Sequence, residues 1–258
     1  YLDYNPHFSN KKGARSKGKL KYEAFKPELI IPKLHEFLTG ENIYPETKRF
    51  SATVITLNEE QKIARCIESL LPVADDIVIL DSFSTDATEE ICKQYPVRFI
   101  QQKFEGHIQQ KNSAIDAAKY DKIISLDADE ALSKELQSAI LRLKDNWKKD
   151  GYFAKRFNNY CGQWIYHSDW YPDRKLRVFD RNKARWGGIN PHDTIQMKPG
   201  SKTGKLNGSI LHWVHTSYQE HSLKVHKFSS IAAREYYKLG RKSGLFDILV
   251  KPTWTFFK

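Results

Sequence analysis

The sequence predicts an α/β protein built on a mostly parallel sheet flanked by helices. Short, nearly continuous Val/Ile/Leu runs alternate with segments of helical periodicity between residues 51 and 147. Such runs suit strands that are buried on both faces. Polar residues also cluster directly after successive predicted strands, where parallel sheets hold their ligands.

The elements follow in order. "SATVITL" is β-branched and apolar and reads as a strand, and "EEQKIARCIESLL" then places Ile63, Ile67 and Leu70 on one helical face. "DDIVILD" is a second strand, leading through the turn-like "SFSTDAT" into the helical "TDATEEICKQY", with Ser84, Thr85 and Asp86 as expected caps. "VRFIQ" is a short strand, "IQQKNSAIDAAK" a helix, "KIISLD" a strand and "SKELQSAILRLKDNW" a helix. Beyond Gly151 the chain becomes aromatic and Gly-rich, with short mixed strands at "GYFAKRF", "KLRVFD" and "DTIQM". From about His226 a basic, amphipathic helical stretch is expected, of the kind that suits an anionic membrane interface. Four regions result: a basic extension of unknown role at 1–49, an α/β half at 50–150, a mixed half at 151–225, and a basic C-terminal region at 226–258.

Composition limits the possible functions. Hydrophobic residues make up 40% and charged residues 28%, an ordinary globular balance. No apolar run approaches the roughly 20 residues of a spanning helix, and no secretory signal pattern opens the sequence. Cys66, Cys92 and Cys161 are too few and too scattered for a disulfide framework, so a reducing cytosol is the expected compartment. The formal net charge of +11 admits phosphorylated substrates, an anionic membrane surface or nucleic acid. The segment "KKGARSKGKLKYEAFK" alone carries seven Lys or Arg against one Glu. Basic residues concentrate at the two termini and no nucleic-acid-binding motif is present, which sets nucleic acid aside.

The strand ends carry the chemistry. In "IISLDADEA" an apolar run breaks into Asp127, Asp129 and Glu130. Two carboxylates at i and i+2 in a loop can converge on a hard divalent cation, Mg²⁺ or Mn²⁺, and through it on a nucleotide diphosphate. Glu130 reads as an accessory or a helix-start charge. Asp81 can accept hydrogen bonds from a base or ribose. Lys111 can reach a nucleotide or remain a solvated charge. Arg174 and Arg177 are phosphate-binding candidates, although strand alternation leaves one of them in solvent. A nucleotidyltransferase would want a Gly-rich loop after the first strand, and "TLNEEQKIARC" contains no glycine.

The motifs "ATVITLNEEQKIARCIESL", "IVILDSFSTDATEEI", "QQKNSAIDAA" and "IISLDADE" resemble, in order and spacing, glycosyltransferase family 2. "GQWIYHSDWYPDRKLRVFDR" and "ILHWVHTSYQEHSLKVHKFSSIAAREYYKLG" are similar to the branch of lipopolysaccharide core β-glucosyltransferases. The resemblance spans about residues 50–250 and implies a GT-A, Rossmann-like fold, with 50–150 as the nucleotide-sugar half and 151–225 as the acceptor and catalytic half. It implies inverting transfer from a nucleotide diphosphate sugar, expected to be a UDP-sugar. The acceptor expected is a lipopolysaccharide core or other lipid-linked glycan at the cytoplasmic membrane face. A polyprenyl phosphate or exopolysaccharide acceptor, or a catalytically inactive nucleotide-sugar-binding member, are the alternatives.

By the same resemblance Thr56, Leu57, Asn58 and Glu59 form the first nucleotide loop, Asp81 with Ser82 contacts the base, and Lys111 closes that pocket. Asp127, followed by Ala128, faces the ribose or the metal, and Asp129 is the principal metal ligand, with His192 or His212 completing the shell. Asp173 is the first candidate general base and Asp193 the second, with Trp170 and Tyr171 as an apolar wall for a sugar face. His167, His215, His221 and His226 are expected to be structural or surface residues. One departure stands out: Phe83 occupies a turn position where the family usually has Gly, so either the turn is altered or the ring stacks near the nucleotide.

Overall fold

The computed structural model describes residues 47–189 and 192–257, with residues 169, 192, 256 and 257 described in backbone alone. Residues 1–46, most of the basic extension, lie outside the described residues. In chain order the elements are β1 (Phe50–Thr56), α1 (Ile63–Leu70), β2 (Asp76–Asp81), α2 (Thr88–Cys92), β3 (Arg98–Gln101), α3 (His107–Asp116), β4 (Lys122–Asp127), β5 (Glu130–Leu132) and α4 (Lys134–Asp145). They continue as β6 (Gly151–Tyr160), β7 (Gln163–Trp164), a 3₁₀ turn (Ser168–Trp170), β8 (Asp173–Asp180), β9 (Ala184–Ile189), β10 (His192–Met197), β11 (Thr203–His215), α5 (Tyr218–Lys238) and α6 (Leu245–Phe257).

The strands form a nine-stranded sheet in the order β3-β2-β1-β4-β8-β6-β11-β5, with β7 added to β6, and β9 and β10 pair separately. β3, β2, β1 and β4 are parallel. β8 runs antiparallel to both β4 and β6, while β6 and β11 are parallel. The parallel half is covered on both faces. Phe50, Val54, Ile79 and Leu126 pack with Ile63, Ile67 and Leu70 of α1 and Leu136 and Ile140 of α4. Ile115 of α3 meets Ile123, Phe179 and Trp186 in a second cluster. Burial of both faces is why these strands are apolar throughout rather than alternating.

Three differences from the sequence reading have clear causes. β11 is a 13-residue strand interrupted by glycines, so its pattern does not show the usual alternation. Gly208 lies at a register irregularity with φ +92°, where a Cβ would collide with the Leu136 backbone nitrogen of α4; only glycine lets the strand pass that helix end. The C-terminal helix begins at Tyr218 rather than His226. Its start is set by Ser217, which accepts from the Glu220 amide, while Glu220 accepts from the Thr216 amide, a close variant of the capping box. Glu130 is not a helix-start charge: it lies in β5, and α4 is capped by Ser133, which accepts from Leu136.

Candidate active site

The parallel register lines up the chemistry. Thr56 pairs with Asp81 across β1–β2, and Ile55 with Asp127 across β1–β4, so the carboxyl ends of three adjacent strands bring Thr56, Asp81 and Asp127 to one edge. The loops beyond β1 and β2 are joined to each other. The Asn58 amide donates to Ser84 Oγ at 2.8 Å and Asn58 Oδ1 accepts from the Thr85 amide at 2.8 Å. The Glu59 amide donates to Thr88 Oγ1 at 2.9 Å. Leu57 is exposed, and the Thr56 hydroxyl is buried without a hydrogen-bond partner among the described residues. Ser82 donates its amide to the Thr56 carbonyl and accepts from Gln110 Nε2.

Asp81 is fully buried and accepts from both the amide and the hydroxyl of Ser84. Ser84 and Thr85 therefore bind Asp81 and Asn58 instead of capping α2, which corrects the capping expectation. Asp86 is the residue that accepts from Thr88 at the helix start. Phe83 keeps a left-handed backbone, φ +63°, with its ring 54% exposed, so the turn tolerates phenylalanine in a conformation that costs a bulky residue about 1–2 kcal/mol. Strain of this kind persists where function requires it. Phe83→Gly is expected to raise stability by about 0.5–1 kcal/mol in urea unfolding, the relief of strain being partly offset by glycine's freedom in the unfolded chain. A loss of stability in the same variant would show that ring packing outweighs the strain.

Beyond β4 the acidic residues divide into two kinds. Asp127 accepts from Lys111 Nζ at 2.8 Å and from Arg177 at 3.0 Å. Arg177 also binds Glu130 at 3.0 Å, and Glu130 accepts from the Asp127 amide at 3.1 Å. Lys111 reaches Asp193 at 2.7 Å, and Arg156 joins Glu130 at 3.6 Å to Asp173 at 2.8 Å. One chain of alternating charge thus runs from Asp173 through Arg156, Glu130, Arg177, Asp127 and Lys111 to Asp193. Burial pushes the Asp127 carboxyl up, but Lys111 and Arg177 outweigh it and hold the group far below the usual carboxylate range. Lys111 is 7% exposed, with its ammonium 4.2 Å from the centre of the Trp186 ring, so it is not a solvated charge. Glu130 is 1% exposed and serves as the counter-ion of Arg177. Of the two candidate phosphate-binding arginines, Arg174 is exposed and Arg177 is buried, as alternation requires. Ala128 is buried in the core and offers a ligand only its backbone.

Asp129 stands apart from this network. Its Oδ2 lies 3.5 Å from His212 Nε2, and its carbonyl accepts from the Trp213 amide. Burial raises its pKa, while the contact with His212 lowers it more, for a net fall. Sequence reading missed Asn158, which β6–β11 pairing sets opposite His212. Asn158 Nδ2 donates to the Trp170 carbonyl at 3.1 Å, which turns its Oδ1 toward His212 Nδ1 at 2.7 Å. With Nδ1–H donated to Asn158, the ring turns Nε2 toward Asp129, where it can donate to the carboxylate or, without its proton, offer a lone pair to a cation. No group of three or more His, Cys, Asp or Glu that could hold a metal exists among the described residues. The pair Asp129 and His212 still fits Mg²⁺ or Mn²⁺, because such ions are held through one or two protein ligands together with substrate phosphates. The His192 side chain lies outside the described residues.

Glu59 lies nearby, its pKa raised by burial and further by Asp129 against the opposing Lys62. Lys62 bridges Glu59 at 3.4 Å and Glu220 of α5 at 3.6 Å, on the wall of an open pocket of about 240 Å³ lined by residues 58–62, Asp86, Thr216 and Glu220. His167 and His226 are exposed. His215 stacks on His221 at 4.5 Å, and burial, with Lys224 and His221, lowers it to about 4. Trp170 packs edge-on against Tyr160 and turns its carbonyl to Asn158, whereas Tyr171 meets Phe157; the expected Trp170–Tyr171 wall is thus divided.

Residues 51–202 match the family described as Glycosyl transferase family 2, and the chain belongs to that family. It is a glycosyltransferase, and its sheet with flanking helices is the GT-A arrangement. An uncharacterized glycosyltransferase of Rickettsia bellii is 30% identical over 225 residues, 82% of this chain and 76% of its own length. The lipopolysaccharide core biosynthesis glycosyltransferase LpsC of Rhizobium meliloti is 30% identical over 217 residues, 81% of this chain and 79% of its own. Among solved structures, S. aureus TarS 1-349 in complex with UDP-GlcNAc aligns with a TM-score of 0.51 at 16% identity, over 67% of this chain and 61% of that one, a likeness of fold alone.

Proposed function

We propose that this glycosyltransferase moves a sugar with inversion from a UDP-sugar to a lipopolysaccharide core or related lipid-linked glycan, using Mg²⁺ or Mn²⁺. The observation that carries the reading is the alignment of Thr56, Asp81 and Asp127 at one sheet edge with Asp129 and His212 beside them. The loop of Thr56, Leu57, Asn58 and Glu59, with Asp81 and Ser82, takes the base and ribose. Asp129 and His212 hold the cation, which when bound neutralises the diphosphate as it leaves. Lys111 and Arg177 fix Asp127 at the ribose side. Asp173 accepts the proton of the acceptor hydroxyl as its oxygen attacks the anomeric carbon and UDP departs. Both carboxylates are ion-paired, Asp173 with Arg156 and Lys175 and Asp193 with Lys111; the partners of Asp173 are the more exposed, at 22% and 38% against 8%, which favours Asp173 over Asp193. The LpsC similarity supports the acceptor class.

Calorimetric titration tests the donor assignment. UDP-sugars are expected to bind at least about tenfold tighter with Mn²⁺ than with chelator, and a preference for GDP- or ADP-sugars would overturn it.

The reading includes a peripheral position on an anionic membrane. No helix among the described residues is long and apolar enough to cross a membrane. Leu245, Phe246, Ile248, Leu249 and Trp254 of α6 are each at least 60% exposed, and the same C-terminal stretch carries Lys224, Lys227, Arg234 and Lys238 on α5 and Lys251 on α6. Apolar side chains interspersed with cations suit an anionic interface. Co-flotation with phosphatidylglycerol vesicles is expected at low salt and not with phosphatidylcholine vesicles; equal partition between the two would remove the membrane assignment.

A further inference from the structure

A surface on the other face of β6 and β8 lies outside the charge chain that runs from Asp173 to Asp193. Strand alternation puts Lys155 and Phe157 on the face opposite Arg156, and Lys155 pairs directly with Arg174 of β8. Two cations set opposite each other on neighbouring strands repel. Among the described residues neither has a carboxylate within 4.0 Å, while Arg156 and Lys175, on the reverse face, both bind Asp173. Next to this pair lies a group of aromatic rings. Phe157 stacks on Trp164 at 4.8 Å and touches Tyr166 at 4.6 Å and Tyr171 at 5.6 Å, and Trp164 meets Trp213 at 5.5 Å. Rings in mutual contact inside a core would be buried, yet none of these five is, and Tyr166 is 65% exposed.

We propose that this surface, Lys155 and Arg174 beside the rings of Phe157, Trp164, Tyr166 and Tyr171, is a subsite for an anionic pyranose of the acceptor glycan, remote from the sugar that reacts. The proposal rests on the glycosyltransferase reading and names the acceptor chemistry. A pyranose has an apolar C–H face that lies flat on an aromatic ring, and Tyr and Trp add polar edges for its hydroxyls. A phosphate or carboxylate on that sugar neutralises the facing Lys155 and Arg174. Asp173 and Arg174 begin β8, so an extended glycan passing the N-terminal end of that strand reaches the rings and cations on one face and the candidate base on the other. Binding a non-reacting residue in this way positions the reacting hydroxyl.

The test is direct glycan binding, by saturation-transfer NMR and calorimetry, with UDP binding measured in the same samples. The probe is core oligosaccharide released from lipopolysaccharide by mild acid, used intact, after phosphatase, and after carboxyl reduction. Wild-type protein is expected to bind the intact glycan in a salt-sensitive manner. The double variant Lys155→Gln/Arg174→Gln, and separately Tyr166→Ala, are expected to bind it about tenfold more weakly, with UDP affinity unchanged and stability maintained or raised in the double variant. Weaker binding after phosphatase assigns the phosphate, and weaker binding after carboxyl reduction assigns the acid group. Binding unaffected by both treatments and by both variants, or no glycan binding by protein that binds UDP, overturns the proposal. Failure to bind UDP would count against the donor reading, separately from this subsite.

Discussion

Asp129→Asn is expected to lower sugar transfer about a thousandfold while leaving the fold and its stability nearly unchanged. Asn keeps the shape of the side chain but loses the charge, and removal of one electrostatic partner of the developing anion has effects of this order. The prediction is specific to Asp129 because of its partners. Its carboxylate meets His212 at 3.5 Å and takes no part in the Lys111–Arg177 network, so its loss strands no buried cation. Turnover of a UDP-sugar and Mn²⁺ affinity, measured on the same samples, check it. Full activity in Asp129→Asn would remove the metal role, and a collapse of stability would show that the residue is structural.

Arg177→Met should have the opposite profile, a large loss of stability. Arg177 is 4% exposed and is the closest cation to Glu130, which is itself 1% exposed, and it shares Asp127 with Lys111. Removing one partner of a buried pair leaves an uncompensated charge and costs about 3–5 kcal/mol. Arg156, at 3.6 Å from Glu130, recovers only part of this because it is already bound to Asp173. Urea unfolding at neutral pH provides the measurement. Arg177→Met/Glu130→Gln is expected to regain much of the loss, since the stranded charge is then neutral. If the single variant unfolds at the wild-type urea concentration, the charge chain does not hold this end of the sheet together.

Much of the fold was legible because its signals are local. Ile63, Ile67 and Leu70 repeat at helical spacing and are all fully buried on α1, and the runs 51–57, 75–81 and 122–127 are apolar because their strands are covered on both faces. β11 escaped notice for the converse reason: Gly208 answers to a helix end and Gly204 to the Tyr152 ring, not to strand periodicity. The candidate site was legible as a set of polar residues at strand ends, and the family motifs gave each residue a role to test.

The partners within that set were not legible. Lys111 and Asp193 are 82 residues apart, and His212 and Asn158 are 54 apart; no short-range pattern encodes either contact. By itself the sequence determined the kind of sheet, the edge where its polar residues gather, the acidic motif after β4 and the anomalous Phe83. Only the tertiary structure decided which carboxylates are free to act. Asp127 and Glu130 are neutralised by Lys111 and Arg177, while Asp129 is left beside a histidine oriented by Asn158. Propensity and hydrophobic period act over a few residues, whereas the charge state and availability of a carboxylate depend on burial and on cations that strand register brings in from far along the chain.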